Sequence, residues 1–468
     1  MCGMSSAETT AAAGSEDAQV LLELRRTISL GVARLSEEKE RAPCLPESRD
    51  SSSSSTMWTT RRRVALDVLL VCWGLGTWLG VNGLFVELPV LIAGLPEGWT
   101  LPSAMVLAVQ SANIGLLIYA LLRNFSRISD IHCIYGLLTI GTIALFLNSF
   151  LYTKTAFFGG TERSIAFLAL TFFVALVGCT SSVLFYPYLR HYRDIYLATY
   201  LIGEGLGGFT PSVLALIQGV GGEVECVLKP DNSSYIAVRP PPRFDSTVYI
   251  TLLGLLSTIS LISFCILHNY SGFASERVKE GAVAKEDEAA PRESLLQPQW
   301  VGVMVLAVVL NAVNNGIMPS VQSYSCMPYG KRAYHLAATL GSMANPMACL
   351  AGVWLRPLAG RYLAPLLALS AALFGFILLT AVQSPTPPMA GSNRGAVIVI
   401  CCWVLCSGLV SYGRMWVYGW SRRGGARGMR ICGALGQVGS ALGSLAFYAL
   451  INYTTFFQQT PDCPAQTI

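Results

Sequence analysis

The chain has 468 residues, 53% of them hydrophobic and 13% charged, with a net charge of +5 and a mean hydropathy of +0.51. Soluble domains carry about a quarter charged residues, so this composition excludes an ordinary soluble globular protein and points to a membrane one. The charge excess is modest, and no nucleic-acid partner is expected. The 14 cysteines do not make a secreted disulfide scaffold, because many sit inside apolar runs where a thiol is a small hydrophobe.

Residues 1–61 are rich in Ser, Ala and Glu and include a run from Ser51 to Ser55. Such a segment cannot build a core, and it reads as a disordered cytoplasmic tail. It holds no apolar leader, so the first span reads as an uncleaved anchor. Apolar segments of about 20 residues, the length that crosses a bilayer, then recur at 64–92, 102–122, 131–152, 164–189, 193–219, 247–267, 300–325, 333–354, 361–382, 395–419 and 430–457. The charged stretch 268–299 separates six spans from five. The chain thus divides into a bundle over 62–267, a cytoplasmic linker over 268–299, a second bundle over 300–458 and a short tail over 459–468. The predicted fold is all-α and polytopic, with eleven transmembrane helices.

Basic residues fall mostly in alternate connections, among them Arg61–Arg63, Arg123, Arg127, Arg190, Arg193, Arg356, Arg361 and the cluster Arg422 to Arg430. Lys331-Arg332 and three basic residues in 220–246 run against this pattern. The positive-inside rule favours a cytoplasmic N-terminus and an extracellular C-terminus. The glycosylation acceptors Asn232 and Asn452 then lie outside, and Cys226, Cys326 and Cys463 face the oxidising side. A disulfide between Cys226 and Cys463 is one pairing among those open.

Several spans carry groups that lipid would penalise. The first holds Asn82 and Glu87, the second Gln110 and Asn113 one turn apart, and the fifth Glu204. The seventh holds Asn311, Asn314, Asn315 and Gln322, and the eighth Asn345. Each amide on its own is either interhelical glue or cavity lining. As a set spread over many spans they predict a wet central path. Pro89, Pro211, Pro319 and Pro346 are expected to bend or break their spans beside it.

The run "GEGLGG" (203–208) matches a dinucleotide fingerprint in form only, because it lies inside an apolar span with no strand before it. Its glycines, like Gly436, Gly439 and Gly443, are expected to let helices approach closely. The chain lacks a Walker loop, a nucleophile elbow and a kinase signature, and the histidines at 132, 191, 268 and 335 lack metal-ligand spacing. Neither an enzyme nor a metal or cofactor site is expected.

The stretches "WGLGTWLGVNGLFVELPVLIAGLPEGWTLP", "SIAFLALTFFVALVGCTSSV", "GEGLGG", "MPSVQSYSC", "AYHLAATLGSMANP" and "SGLVSY" together resemble the eukaryotic riboflavin transporters. The likeness runs from about residue 62 to the C-terminus. It implies a plasma-membrane carrier for riboflavin, independent of sodium and pH-sensitive in some members, with a major-facilitator-like arrangement of six plus five helices. Riboflavin pairs a flat tricyclic ring with a hydroxylated chain, so its site needs aromatic faces and hydrogen-bonding groups. Trp78, Asn82, Glu87, Gln110, Asn113, Glu204, Asn311, Asn314, Asn315, Gln322 and Asn345 are the candidates, with Trp73, Tyr324, Tyr334 and Tyr412 as further aromatic surfaces. Glu87 is read as a ligand group, as one side of an ion pair, or as a brace for a helix break; either it or Glu204 would give transport a pH dependence. A monomer in the bilayer is the expected state. A nucleoside carrier and a seven-helix receptor are the rival readings.

Overall fold

The computed structural model describes residues 63–459 apart from 117, 120–128, 190–191, 193, 222–224, 229–234, 239, 277–296, 355–359 and 422–424. The expected disordered tail, most of the linker and nearly all of the final tail therefore lie outside the described residues.

The described chain is almost wholly helical. Helices α1 (Val64–Leu75) and α2 (Leu79–Leu91) form one bent span, followed by α3 (Leu101–Ser111), α4 (Asp130–Leu151), α5 (Ile165–Leu189), α6 (Asp194–Gln218) and α7 (Ser246–Asn269). The second half holds α8 (Pro298–Asn311), a π-helical turn (Ala312–Ile317), α9 (Met318–Cys326), α10 (Lys331–Trp354), α11 (Gly360–Val382), α12 (Asn393–Ser421) and α13 (Gly425–Tyr453). Local signals set several starts: the Asp245 carboxylate caps α7 by accepting from the Val248 amide at 3.0 Å, and Pro298 opens α8.

A helix or helix pair occupies each of the eleven predicted segments. Among the described residues seven helices are long and apolar enough to cross a membrane, and the bent pair α1–α2 makes an eighth. The other segments hold α3, α5 and α10. The first is short, and the last carries Lys331, Arg332, His335 and Asn345. Two small antiparallel hairpins were not foreseen. They pair Ala156–Phe158 with Thr161–Arg163, and Glu225–Leu228 with Tyr235–Val238. Both stand in connections on the face opposite Arg63, hereafter the far face.

The halves repeat one packing device. In the first, the added Cβ of an alanine at Gly203 or Gly207 would stand 2.3 Å from the Val71 carbonyl oxygen and 2.7 Å from that of Leu75. In the second, one at Gly439 or Gly443 would stand 2.2 Å from the Val308 carbonyl oxygen and 2.7 Å from that of Ala312. The glycines are four apart, as are the carbonyls, so in each half one helix lies backbone to backbone against another. In each half the contacted span loses its helical regularity at the second carbonyl. The first span bends by 49° between Leu75 and Leu79, and the seventh passes into the π turn from Ala312.

This corrects one expectation and supports another. The first span breaks at Gly76–Trp78 and not at Pro89, which lies within α2; Pro211 and Pro346 also lie within continuous helices. The glycines of the apolar spans do act as approach points.

On the Arg63 face the first half is tied by polar contacts. Arg63 pairs with Glu276 at 3.6 Å, Tyr196 donates to the same carboxylate at 3.2 Å, and Thr199 donates to Asp67 at 2.8 Å. Beneath them Trp73 packs against Phe185, Tyr200 and Phe264, each with ring centroids 5.0 Å away.

Gly203→Ala and Gly439→Ala place a methyl against backbone, where overpacking costs about 1–3 kcal/mol. Each is expected to lower the melting temperature in detergent, whereas Gly302→Ala, with nothing within 4 Å, should leave it unchanged or higher. Equal melting temperatures for all three would show that the contact does not stabilise the helix pair within each half.

Candidate functional site

The two helix breaks lie at corresponding places in the two halves, and the polar side chains gather there. In the second half Asn315 donates its amide to Ser440 Oγ at 3.0 Å and to Asn311 Oδ1 at 3.4 Å. Asn314 donates to Asn315 Oδ1 at 2.7 Å, and Asn311 donates to the Ala307 carbonyl at 2.8 Å. Asn311 is buried, while Asn314 and Asn315 are half-buried. A π turn is a frequent device at functional sites, since its extra residue re-aims the side chains around it. Here it carries two adjacent amides.

In the first half the break exposes Trp78 and Asn82 in part. Trp78 lies against Gly178, where an added Cβ would be 2.8 Å from its ring. Asn82 faces α6 at Gly208, whose added Cβ would lie 3.4 Å from the amide nitrogen. Glu204 is half-buried one residue after Gly203, as Ser440 stands one residue after Gly439. The packing thus gives Glu204 the place in its half that Ser440 takes in the other.

The seam between the halves passes through this region. Gly205 of α6 lies against Pro346 of α10, with 3.6 Å from an added Cβ to the proline side chain, and Gly208 lies 3.9 Å from the Ser342 carbonyl by the same measure. Asn345, beside Pro346, is exposed in the middle of α10.

Other predicted residues separate from this group. Glu87 is fully buried toward the far face, where Gln218 donates to its Oε1 at 2.9 Å and Ser246 at 2.6 Å. It braces α2 against α6 and the start of α7, which is the third of the roles foreseen for it in kind though not in place, since the break itself lies elsewhere. Asn113 donates to Gln110 Oε1 at 3.0 Å and to the Gln110 carbonyl at 3.1 Å, a local contact where α3 loses regularity. Gln322 is half-buried on α9, beyond the π turn.

The aromatic candidates narrow. Trp73 and Tyr334 are fully buried and Tyr324 is 2% exposed, so all three are packing residues in this conformation. Trp78 and Tyr412 are both half-buried and keep some ring surface uncovered.

The amide nitrogen of Asn452, the atom that would carry a glycan, donates to the Tyr448 carbonyl at 2.9 Å and to Ser103 Oγ at 3.3 Å in the last turn of α13. A sugar there would leave it one hydrogen, enough for one of the two bonds. Asn232 and Cys463 lie outside the described residues, and Cys226 is placed only as part of the strand Glu225–Leu228. Cys326 is a buried free thiol in this structure. Among the described residues no cluster of side chains could hold a metal ion.

Sequence reasoning passed over three groups. Ser440 is one small hydroxyl among many in an apolar span. Glu97 lies in a connection, yet it accepts from the Ser164 amide at 2.6 Å and hydroxyl at 2.8 Å. Trp99, in the same connection, is 5% exposed. The one available hint was a charged residue and a large aromatic in a loop of few residues.

Comparison with known proteins agrees with this architecture. Residues 62–459 match the family model described as solute carrier family 52, riboflavin transporter. Riboflavin transporter member 3-A of that family from Danio rerio is 35% identical over 441 residues, spanning 85% of this chain and 98% of the relative. Member 2 from Homo sapiens is 35% identical over 441 residues, spanning 86% and 98%. Among solved structures, a mutant of the nucleoside transporter NupG superposes with a TM-score of 0.50 at 13% identity, covering 84% of this chain and 93% of that one. A D-xylose-proton symporter gives 0.50 at 12% identity, covering 83% and 88%. These last two show a shared major-facilitator-like fold and nothing finer. The chain belongs to solute carrier family 52, the riboflavin transporters.

Proposed function

We propose that the protein is a carrier, not a catalyst, that moves riboflavin across the plasma membrane by alternating access. The observation that carries this reading is the pair of helix breaks, one beside Trp78, Asn82 and Glu204 and the other holding Asn311, Asn314 and Asn315, in a chain of this family. Broken helices at a repeat interface are where membrane carriers hold their substrates. Trp78 and Tyr412 supply faces for the tricyclic ring, while Asn82, Glu204, Asn314, Asn315 and Asn345 supply partners for its polar edge and hydroxylated chain. Gln110, Asn113 and Gln322 border the path, and Asn311 positions Asn315.

The same reading takes the eleven segments as eleven crossings, with the N-terminus cytoplasmic, the far face extracellular, and the protein working as a monomer. Transport is independent of sodium and depends on pH through a carboxylate. At acid pH a protonated side chain is tolerated at membrane depth, so uptake should fall as the medium is made more alkaline.

Uptake of labelled riboflavin into cells lacking their own carrier is the direct test. Expression should raise uptake in sodium-free medium as in sodium medium, and unlabelled riboflavin should compete where nucleosides do not. Competition by nucleosides, or no uptake at all from protein present at the surface, would overturn the reading. Asn315→Ala removes the link between the π turn and α13 and should cut uptake about tenfold, equivalent to about 1.4 kcal/mol.

For the pH dependence, Glu204→Gln should flatten the uptake profile that slopes in the parent. Glu87→Gln keeps an acceptor for Gln218 and Ser246 and should fold normally, whereas Glu87→Ala strands both donors at a cost of about 1–3 kcal/mol each. An unchanged slope in both Gln variants would remove the carboxylates from the explanation.

A further inference from the structure

On the far face lies a constellation that the substrate path does not use. Trp99 sits in a short 3-10 turn, Gly98–Thr100, between the first and second spans. It is nearly buried, and its hydrogen-bond and ring partners among the described residues belong to the second half or to the segment after α13. Ser323 of α9 donates to the Trp99 carbonyl at 2.7 Å, and the Trp99 amide donates to Gln459 Oε1 at 3.4 Å. Its ring meets Tyr324 edge-on with centroids 5.8 Å apart, and Tyr324 in turn meets Phe457 at 5.4 Å.

The turn is held on both sides. On its own half the Glu97 carboxylate grips the start of α5 through Ser164. Across the seam Asn452 of α13 donates to Ser103 of α3 at 3.3 Å. The strap itself is tied down where Ser384 donates to the Gln458 carbonyl at 2.8 Å. Gly98 has φ +54, and a Cβ added there would lie 3.1 Å from the Gln459 side chain. A left-handed backbone there lets the turn dip beneath the strap, where a side chain would be strained and crowded.

We propose that Trp99 is the outer latch of the carrier: the 95–100 connection of the first half is pinned between α9 and the 454–459 strap, and it must withdraw for the far face to open. The inference rests on the transport reading for its purpose, but the closure can be tested without riboflavin. Rigid halves that rock about a central site need a seal on each side that forms in one state only. A polar and aromatic contact between a short loop and two elements of the other half has that character, unlike the backbone packing inside each half.

The test is the accessibility of a buried reporter. Ser103 is fully buried at the seam, and Ser103→Cys is close to isosteric. In intact cells a membrane-impermeant maleimide should label Ser103→Cys slowly, after subtraction of labelling in protein without that substitution. Adding Trp99→Ala should raise the rate about tenfold, and Gln459→Ala should raise it by a smaller factor. A tenfold shift in the open fraction corresponds to about 1.4 kcal/mol, within what a buried aromatic contact and its hydrogen bonds supply. Surface biotinylation checks that each variant reaches the membrane; if Trp99→Ala does not, Ser323→Ala and Gln459→Ala together carry the test. Unchanged labelling in variants that reach the surface would overturn the latch even with riboflavin uptake intact. Faster labelling in a protein that moves no riboflavin would keep the latch and overturn the substrate.

Discussion

Two helices in each half approach until backbone meets backbone, and the remainder of the architecture follows from that constraint. Only glycine permits the contact of α6 with α1 and of α13 with α8, since any Cβ at Gly203 or Gly439 would collide with a carbonyl oxygen. Lipid supplies no hydrophobic force between helices, so close packing of small residues has to hold them. Directly beyond each contact the partner helix bends or widens. The breaks therefore fall at corresponding places in the two halves.

A break in a membrane helix is stable only if its freed polar groups find partners in protein or water. In the second half Asn311, Asn315 and Ser440 serve one another. In the first, Glu204 occupies the place that Ser440 holds opposite. This difference makes the two sides of the seam chemically unlike, one neutral and amide-rich, the other bearing a carboxylate. Such asymmetry suits a substrate with a polar edge at one end and a hydroxylated chain at the other. The far-face contacts around Trp99 and Glu87 lie away from the breaks and serve closure and bracing.

Much of this was legible in the residues. Runs of apolar sequence gave the order of the helices. The glycines of 203–208 and 436–443 announced close packing, and amides at membrane depth announced a polar interior. The exceptions have physical causes. The break at Gly76–Trp78 escaped because proline marked a different place, Pro89, where α2 continues. The π turn escaped because one extra residue per turn leaves no compositional trace. Glu87 kept three readings open because sequence cannot show that Gln218 and Ser246, far along the chain, converge on one of its oxygens. Trp73 and Tyr334 read as stacking surfaces because sequence shows an aromatic ring but not what already covers it.

The most direct measurement is an experimental density map of the purified protein saturated with riboflavin. The account places the flat ring beside the two breaks, with Trp78 or Tyr412 against its face and with Glu204, Asn314 and Asn315 within hydrogen-bonding distance of its polar atoms. Density for the ligand on the lipid-facing surface, or those side chains closed in dry contact with one another and no ligand between the halves, would contradict it.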